Sequence, residues 1–323
     1  MTDAAPIVPV TGNAPRPFWS VMIPTFNPDP AYLAQTLDAV LAQDPGTAAM
    51  EIVVVDDGSS NFDPPDGLRG VGAGRVSWVR HERHLGIGGN WNACIQRARG
   101  QWVHILHQDD LVRPGFYERL RAGIEAHPEV GAAFCRDVVI DGQGRTKWLQ
   151  PLLRETPGLL EDWIEHIFVA LHLRCPALVA KRSVYEALGG FRLDLRYTLD
   201  WDMWKRIAAA YPLWYEPAVL ACYRRHPTSA TMTLLRSGAN IAEIRRSIEL
   251  SATVLHPGLA AEVNRRARQT YTTYAVTTAW RSLCARDLRA SMAQLREARK
   301  LTSTLAVARA IGRFLPGAMR VPR

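Results

Sequence analysis

Residues 90–110 read NWNACIQRARGQWVHILHQDD. The part from Asn90 to Arg99 has the pattern of a helix, Gly100 stops it, and 102–106 is an apolar run of strand length. Four polar residues, His107-Gln108-Asp109-Asp110, then leave the strand. A helix followed at once by a strand that ends in carboxylates is a unit of α/β structure. In open parallel sheets ligands gather at the carboxyl ends of the strands.

The same alternation extends outward over residues 18–140, with strands expected at 18–23, 51–55, 76–79, 102–106 and 132–140. After the first strand, Asp29 suits an N-cap and Pro30 the first helical position, and Leu33, Leu37, Val40 and Leu41 form one apolar stripe. The expected fold is therefore α/β, a doubly wound, mostly parallel sheet with a Rossmann-like half. From about 150 to 238 the pattern is less regular, with helical stretches at 159–173, 183–188 and 200–210 and Gly189-Gly190-Phe191 between them. Beyond about 239, Ala, Arg, Leu and Thr dominate in helical patterns such as 288–305.

With 323 residues, 47% hydrophobic and 22% charged, the composition is that of an ordinary globular protein, and no apolar run is long enough to cross a bilayer. The start, MTDAAPIVPVTGNAPRP, lacks both a basic beginning and an apolar stretch. It does not read as a signal peptide, and residues 1–17 are expected to be a flexible lead-in. Five scattered cysteines, an odd number without a CxxC pair, argue against a disulfide framework or a zinc-thiolate site, so a reducing cytoplasm is the expected home. The charge of +8 is uneven, since residues 239–323 hold 15 Lys and Arg against 5 Asp and Glu. No nucleic-acid motif accompanies this excess, and no nucleic-acid partner is expected. The short, amphipathic, basic end at 305–323 suits peripheral contact with the inner face of a membrane, and packing on the body of the protein is the plainer reading.

Three expected strands end in polar clusters: Pro24-Thr25-Phe26-Asn27, Asp56-Asp57-Gly58-Ser59-Ser60 and His107-Gln108-Asp109-Asp110. In a parallel sheet all three lie along one rim. Turn and capping chemistry accounts equally well for Asp56, Asp57 and Ser59. The Asp109-Asp110 pair asks for more, because adjacent carboxylates repel unless a cation or solvent relieves them. One or two carboxylates plus nucleotide phosphate oxygens is the usual setting of Mg²⁺ or Mn²⁺.

The runs VMIPTFN, IVVVDDGSS and HLGIGGNWNACIQRARGQWVHILHQDDLVRPGFYERL, then LGGFRLDLRYTLDWDMWKRIA and YRRHPTSAT, resemble the family 2 glycosyltransferases with the GT-A fold. The resemblance extends over residues 18 to 231, with the motifs in the family's order. It implies a glycosyltransferase domain at 18–238, its nucleotide-sugar-binding half at 18–140 and its acceptor and catalytic half at 141–238, followed by a basic helical region at 239–323. It further implies a UDP-, GDP- or dTDP-linked sugar donor, a glycan, lipid-linked or protein acceptor, and a Mg or Mn cofactor.

By motif position the resemblance puts Pro24, Thr25, Asn27, Asp57 and Gln108 at the nucleotide, Asp109 and His226 at the metal, and Arg224 and Arg225 at the diphosphate. Asp200 in Leu199-Asp200-Trp201-Asp202 matches the catalytic base of inverting members, and Gly190 and Asp202 fall on the acceptor side. An N-cap role for Asp200, an i,i+4 pair of Asp202 with Arg206 and a helix C-cap at Gly189-Gly190 are the structural alternatives. The sequence departs from the commoner pattern at His107, in place of a carboxylate, at Leu199, in place of Glu, and at His84, in place of Asn before Leu-Gly. HQDD itself resembles a form recurrent in bacterial members. Two other classes are open: a non-catalytic nucleotide-sugar binder, and a Rossmann oxidoreductase. For the latter, Gly86-x-Gly88-Gly89 is a faint match, and no GxGxxG follows the first strand.

Overall fold

The computed structural model of the chain describes residues 4–12, 14–60, 72, 74–161, 163–226 and 230–318. They form two units, the first comprising Met1–Glu161, His172–Asp194 and Arg206–His226, the second Asp162–Leu171, Leu195–Lys205 and Pro227–Arg323.

The first unit holds a ten-stranded sheet. Its strands are β1 (Trp19–Thr25), β2 (Met50–Asp56), β3 (Val76–Arg80), β4 (Trp102–Ile105), β5 (Leu111–Val112), β6 (Ala132–Asp141), β7 (Thr146–Leu149), β8 (Gly158–Leu159), β9 (Leu178–Lys181) and β10 (Leu213–Arg225). The order is β3-β2-β1-β4-β9-β6-β10-β5, with β7 on β6 and β8 on β10. The run β3-β2-β1-β4 is parallel throughout. β9 then pairs antiparallel with both β4 and β6, while β6 and β10 are parallel. β4, β6 and β10 thus point the same way. Strands covered on both faces can carry uninterrupted apolar runs, and every residue of β1 and of β4 is buried.

The five expected strands are present, each ending within two residues of its expected bounds. Helix α1 (Pro30–Leu41) starts as its sequence indicates: the Asp29 carboxylate accepts the Ala31 N–H at 2.8 Å, and Leu33, Leu37 and Val40 are buried. Helix α2 (Gly86–Arg97) begins four residues before the expected Asn90. Its start has no local side-chain cap, and the Asp57 carboxylate takes the N–H groups of Leu85 at 2.7 Å and Gly86 at 3.0 Å instead. Helix α3 (Phe116–Ala126) follows β5.

Between 141 and 238 the structure has strands as well as helices. β10 is 13 residues long, with register shifts around Glu216, Val219 and Ala221. Those irregularities, next to Pro217, break the two-residue alternation by which a strand is recognised. The helix expected at 159–173 is shorter, α4 (Trp163–Val169), because Gly158 and Leu159 pair with β10. α5 (Arg182–Leu188) and α6 (Leu199–Ala210) fall where expected. In the lead-in, Ile7 is buried, the Ala5 carbonyl accepts the Gly190 N–H at 2.7 Å, and the Val8 N–H reaches Gln96 Oε1 at 3.0 Å. Burial of Ile7 and these bonds hold the segment against the first unit.

The second unit is helical among its described residues, with α7 (Ala230–Ser237), α8 (Ala239–Leu250), α9 (Pro257–Cys284), α10 (Leu288–Leu301) and α11 (Thr304–Ala318). The helix expected at 288–305 ends at Leu301 because Thr302 is extended, at φ −152° and ψ 178°. None of the described helices is long and apolar enough to cross a membrane. Of the basic end, residues 319–323 lie outside the described residues.

Lys205 of α6 is 2% exposed, its Nζ donating to the Ser247 carbonyl at 2.5 Å and to Ser247 and Ser251 Oγ at 2.8 and 3.1 Å. Burial pushes its pKa from 10.5 down to about 7, against the pull of Asp202. The unfolded chain therefore binds the extra proton between these values, and stability rises with pH across that window. Unfolding by urea at pH 7 and pH 9, compared with Lys205→Met, should show the wild type gaining on the variant by up to about 1.4 kcal/mol per pH unit. A gap constant with pH would mean that Lys205 keeps an ordinary pKa.

Candidate active site

The three polar clusters meet at the carboxyl ends of the parallel strands β1, β2 and β4. Asn27 has φ +44°, and this left-handed turn brings its N–H to Ser59 Oγ at 2.7 Å and its Oδ1 to the Ser60 N–H at 3.1 Å. The Gln108 amide holds the Phe26 backbone, accepting its N–H at 2.8 Å. Gly58, at φ +72°, turns the second cluster where an added Cβ would stand 3.3 Å from the Arg83 and His84 backbone. Pro24 and Thr25 are buried at the end of β1, where the Thr25 carbonyl takes the Asp57 N–H at 2.8 Å. Asp57 is 1% exposed, and besides capping α2 its carboxylate lies 2.9 Å from His84 Nδ1. Phe26 and His84 pack ring on ring, 4.2 Å apart, and both are exposed beside Asp57.

The acidic loop is braced from α1 and β10. Thr36 Oγ1 donates to the Asp110 carbonyl at 2.9 Å. The Arg224 N–H donates to Asp110 Oδ1 at 2.8 Å, and its guanidinium to the Asp109 carbonyl at 2.8 Å and Gln35 Oε1 at 2.7 Å, lying over the Tyr32 ring. Arg224 is 2% exposed and its guanidinium is taken up by this framework, whereas the neighbouring Arg225 is exposed. His226 Nε2 stands 2.7 Å from Asp109 Oδ2, and this hydrogen bond raises the pKa of His226 above its ordinary value.

Asp110 is fully buried, and burial pushes its pKa up to about 6 despite the His107 ring, whose Nδ1 is 3.1 Å from Oδ2. Burial works against the charge on His107, but Cys175 and Asp110 outweigh it and hold its pKa well above the ordinary value. His107 also stacks on Trp91 at 4.9 Å. The residue in the place of a carboxylate thus lies against the Asp110 carboxyl. His107, Asp109 and Asp110 bring buried or half-buried donor atoms within 4.8 Å of one another. An imidazole and carboxylate donor set fits a hard or borderline divalent cation such as Mn²⁺.

Gly190 lies in the first unit, where an added Cβ would collide with the Asn92 amide and where Arg206 donates to its carbonyl at 2.8 Å. Asp200 and Asp202 lie in the first turn of α6, in the second unit. Asp200 Oδ1 accepts the Trp201 N–H at 2.7 Å, and Asp202 is buried. The segment that leads into this helix is tied down by Glu243, which the sequence reading passes over. Its Oε2 accepts the N–H groups of Arg196 and Tyr197, both at 2.7 Å, and that of Thr198 at 3.4 Å. Glu243 stands 46 positions from Tyr197, so no local spacing announces the contact. His84, by contrast, carries a visible signal as the residue in the place of Asn before Leu-Gly.

Three polar strand ends on one rim, with an acidic loop braced by β10 and paired with the His226 that follows it, define a class, and comparison with known proteins agrees with it. Glycosyl transferase family 2 matches residues 20–186, just over half of the chain. The chain belongs to this family, and it is a glycosyltransferase. An uncharacterised protein of Mycobacterium tuberculosis is 29% identical over 76% of this chain and 78% of its own length. The succinoglycan biosynthesis protein ExoO of Rhizobium meliloti is 34% identical over 39% of this chain and 36% of its own. Among solved structures, residues 1–349 of S. aureus TarS with UDP-GlcNAc superpose with a TM-score of 0.62 at 15% identity, covering 87% of this chain and 91% of that one. The mannosyltransferase PcManGT of Pyrobaculum calidifontis, with GDP-Man and Mn²⁺, gives 0.56 at 19% identity, covering 94% and 80%. At these identities the structures speak for the fold.

Proposed function

We propose that the protein is an inverting, metal-dependent glycosyltransferase that moves a sugar from a nucleotide diphosphate to an acceptor hydroxyl. The observation that carries this reading is the Asp109–His226 pair, held by Arg224 on the rim where the Asn27, Asp57 and Gln108 loops are cross-linked. Asn27, Asp57 and Gln108 receive the nucleoside, on a rim shaped by Pro24 and Thr25, and the Phe26–His84 pair offers the base an aromatic surface. Arg225, exposed, meets the diphosphate, and Arg224 serves it by holding the loop. A divalent cation held by Asp109 and His226 would supply positive charge to the departing diphosphate. Asp200 takes the proton of the acceptor hydroxyl as its oxygen bonds to the anomeric carbon and the bond to the diphosphate oxygen breaks. One displacement inverts that carbon. On the acceptor side, Gly190 acts through the close approach of the Asn92 amide that it permits, and Asp202 through its place beside Lys205.

The nucleotide-sugar ligands of TarS and PcManGT support the donor class, and likeness to ExoO supports a role in polysaccharide assembly. Glycolipid and glycoprotein acceptors follow the same chemistry, at the inner face of the membrane. Thermal unfolding with UDP, GDP, dTDP and their sugars, with and without Mn²⁺ or Mg²⁺, tests the reading. One nucleotide at 100 times its Kd should stabilise the protein by about 2.7 kcal/mol, and only with the ion. A shift with NAD(H) alone, or none with any nucleotide, would overturn it. Slow hydrolysis of the donor sugar separates an enzyme from a binder.

A further inference from the structure

Helices α9 and α10 form a hairpin, and its tip, residues 280–292, reads WRSLCARDLRASM. The turn is closed by backbone bonds, Ala285 N–H to the Arg281 carbonyl at 3.0 Å and Asp287 N–H to that of Ser282 at 2.9 Å, with Arg286 left-handed at φ +60°. Four large apolar side chains are exposed there: Trp280 at 37%, Leu283 at 42%, Leu288 at 62% and Met292 at 68%. Trp280 with Leu283, and Leu288 with Met292, are three and four residues apart and so share a helix face. Single exposed leucines are ordinary on a protein surface, but four large apolar groups at one tip are not.

The charge at the tip has one sign. Arg281, Arg286 and Arg289 are exposed, and among the described residues none forms an ion pair. The one carboxylate in the stretch, Asp287, accepts the Ala290 N–H at 3.0 Å and is spent on capping α10. The whole of 239–323 repeats this sign, with 15 basic residues against 5 acidic. Exposed Trp and Leu interleaved with arginine is the composition of elements that lie in a lipid headgroup layer. A second copy of the chain would bring the same arginines against themselves, and a nucleic acid would leave the apolar side chains in water.

We propose that the α9–α10 hairpin tip is a membrane contact. It seats Trp280, Leu283, Leu288 and Met292 at the headgroup boundary of an anionic bilayer, with Arg281, Arg286 and Arg289 on its lipid phosphates. This stands independently of the donor chemistry.

Flotation of the full chain with vesicles tests it, using phosphatidylglycerol mixed with phosphatidylcholine against phosphatidylcholine alone. Binding is expected only to the anionic vesicles and should weaken in high salt. Each of Arg281→Gln and Arg289→Gln should weaken it about fivefold, the equivalent of one basic residue near such a surface. Leu288→Ser with Met292→Ser should weaken it at least about tenfold, with Tm and transfer to a soluble acceptor unchanged, because both side chains face water. Equal binding to the two vesicle types, no binding to either, or binding indifferent to these substitutions would overturn the proposal. So would an oligomer in solution that the Leu288→Ser, Met292→Ser variant dissolves.

Discussion

Asp200→Asn is expected to lower glycosyl transfer by about 10²- to 10⁴-fold, the range that a positioned general base contributes. The amide cannot accept the acceptor's proton, yet its oxygen can still take the Trp201 N–H that Asp200 Oδ1 takes now, so the start of α6 survives. The loss should fall on kcat at saturating donor, and nucleotide-induced stabilisation should stay at the wild-type value. Turnover is checked by release of nucleoside diphosphate, donor binding by thermal unfolding. Wild-type turnover in the variant would remove Asp200 as the base. An equal loss of donor binding would make it a structural residue.

Asp109→Asn should act on the opposite half of the reaction. Its backbone carbonyl would still hold the Arg224 guanidinium, so the loop keeps its brace, but the charge facing His226 is gone. Loss of a positive centre at the leaving group is a matter of several kcal/mol, about 10³-fold in kcat/KM. The stabilisation by nucleotide that Mn²⁺ or Mg²⁺ brings should disappear, a readout that needs no turnover. Full ion dependence in Asp109→Asn would move the cation to other residues. Asp110→Asn makes the contrast: Asp110 is buried against His107 and the Arg224 N–H, so its substitution should cost stability first.

The parallel half of the sheet was legible because its signals are local. Apolar runs such as 102–105 need only their own residues to be recognised, and the Asp29-Pro30 start of α1 is built from adjacent side chains. The acidic loop was legible for the same reason, as adjacent carboxylates at a strand end. β10 was not. Its register shifts and Pro217 erase the alternation, and its partners β6, β5 and β8 come from three separate stretches. With β10 went the means of telling Arg224 from Arg225, adjacent and chemically identical residues.

By itself, then, the sequence determined that strands and helices alternate, that their polar ends share a rim, and that Asp109 stands at it. Only the tertiary structure decided what each polar group there is free to do. It buries Arg224 among carbonyls and leaves Arg225 in solvent. It makes Asp57 a cap for the start of α2 and turns His107 toward Asp110, and within the second unit it ties the segment leading to Asp200 to Glu243. The reason is physical: a charged side chain is claimed by whichever donors and acceptors folding brings within about 3 Å. At this site many of those partners lie dozens of residues away, where no local pattern can announce them.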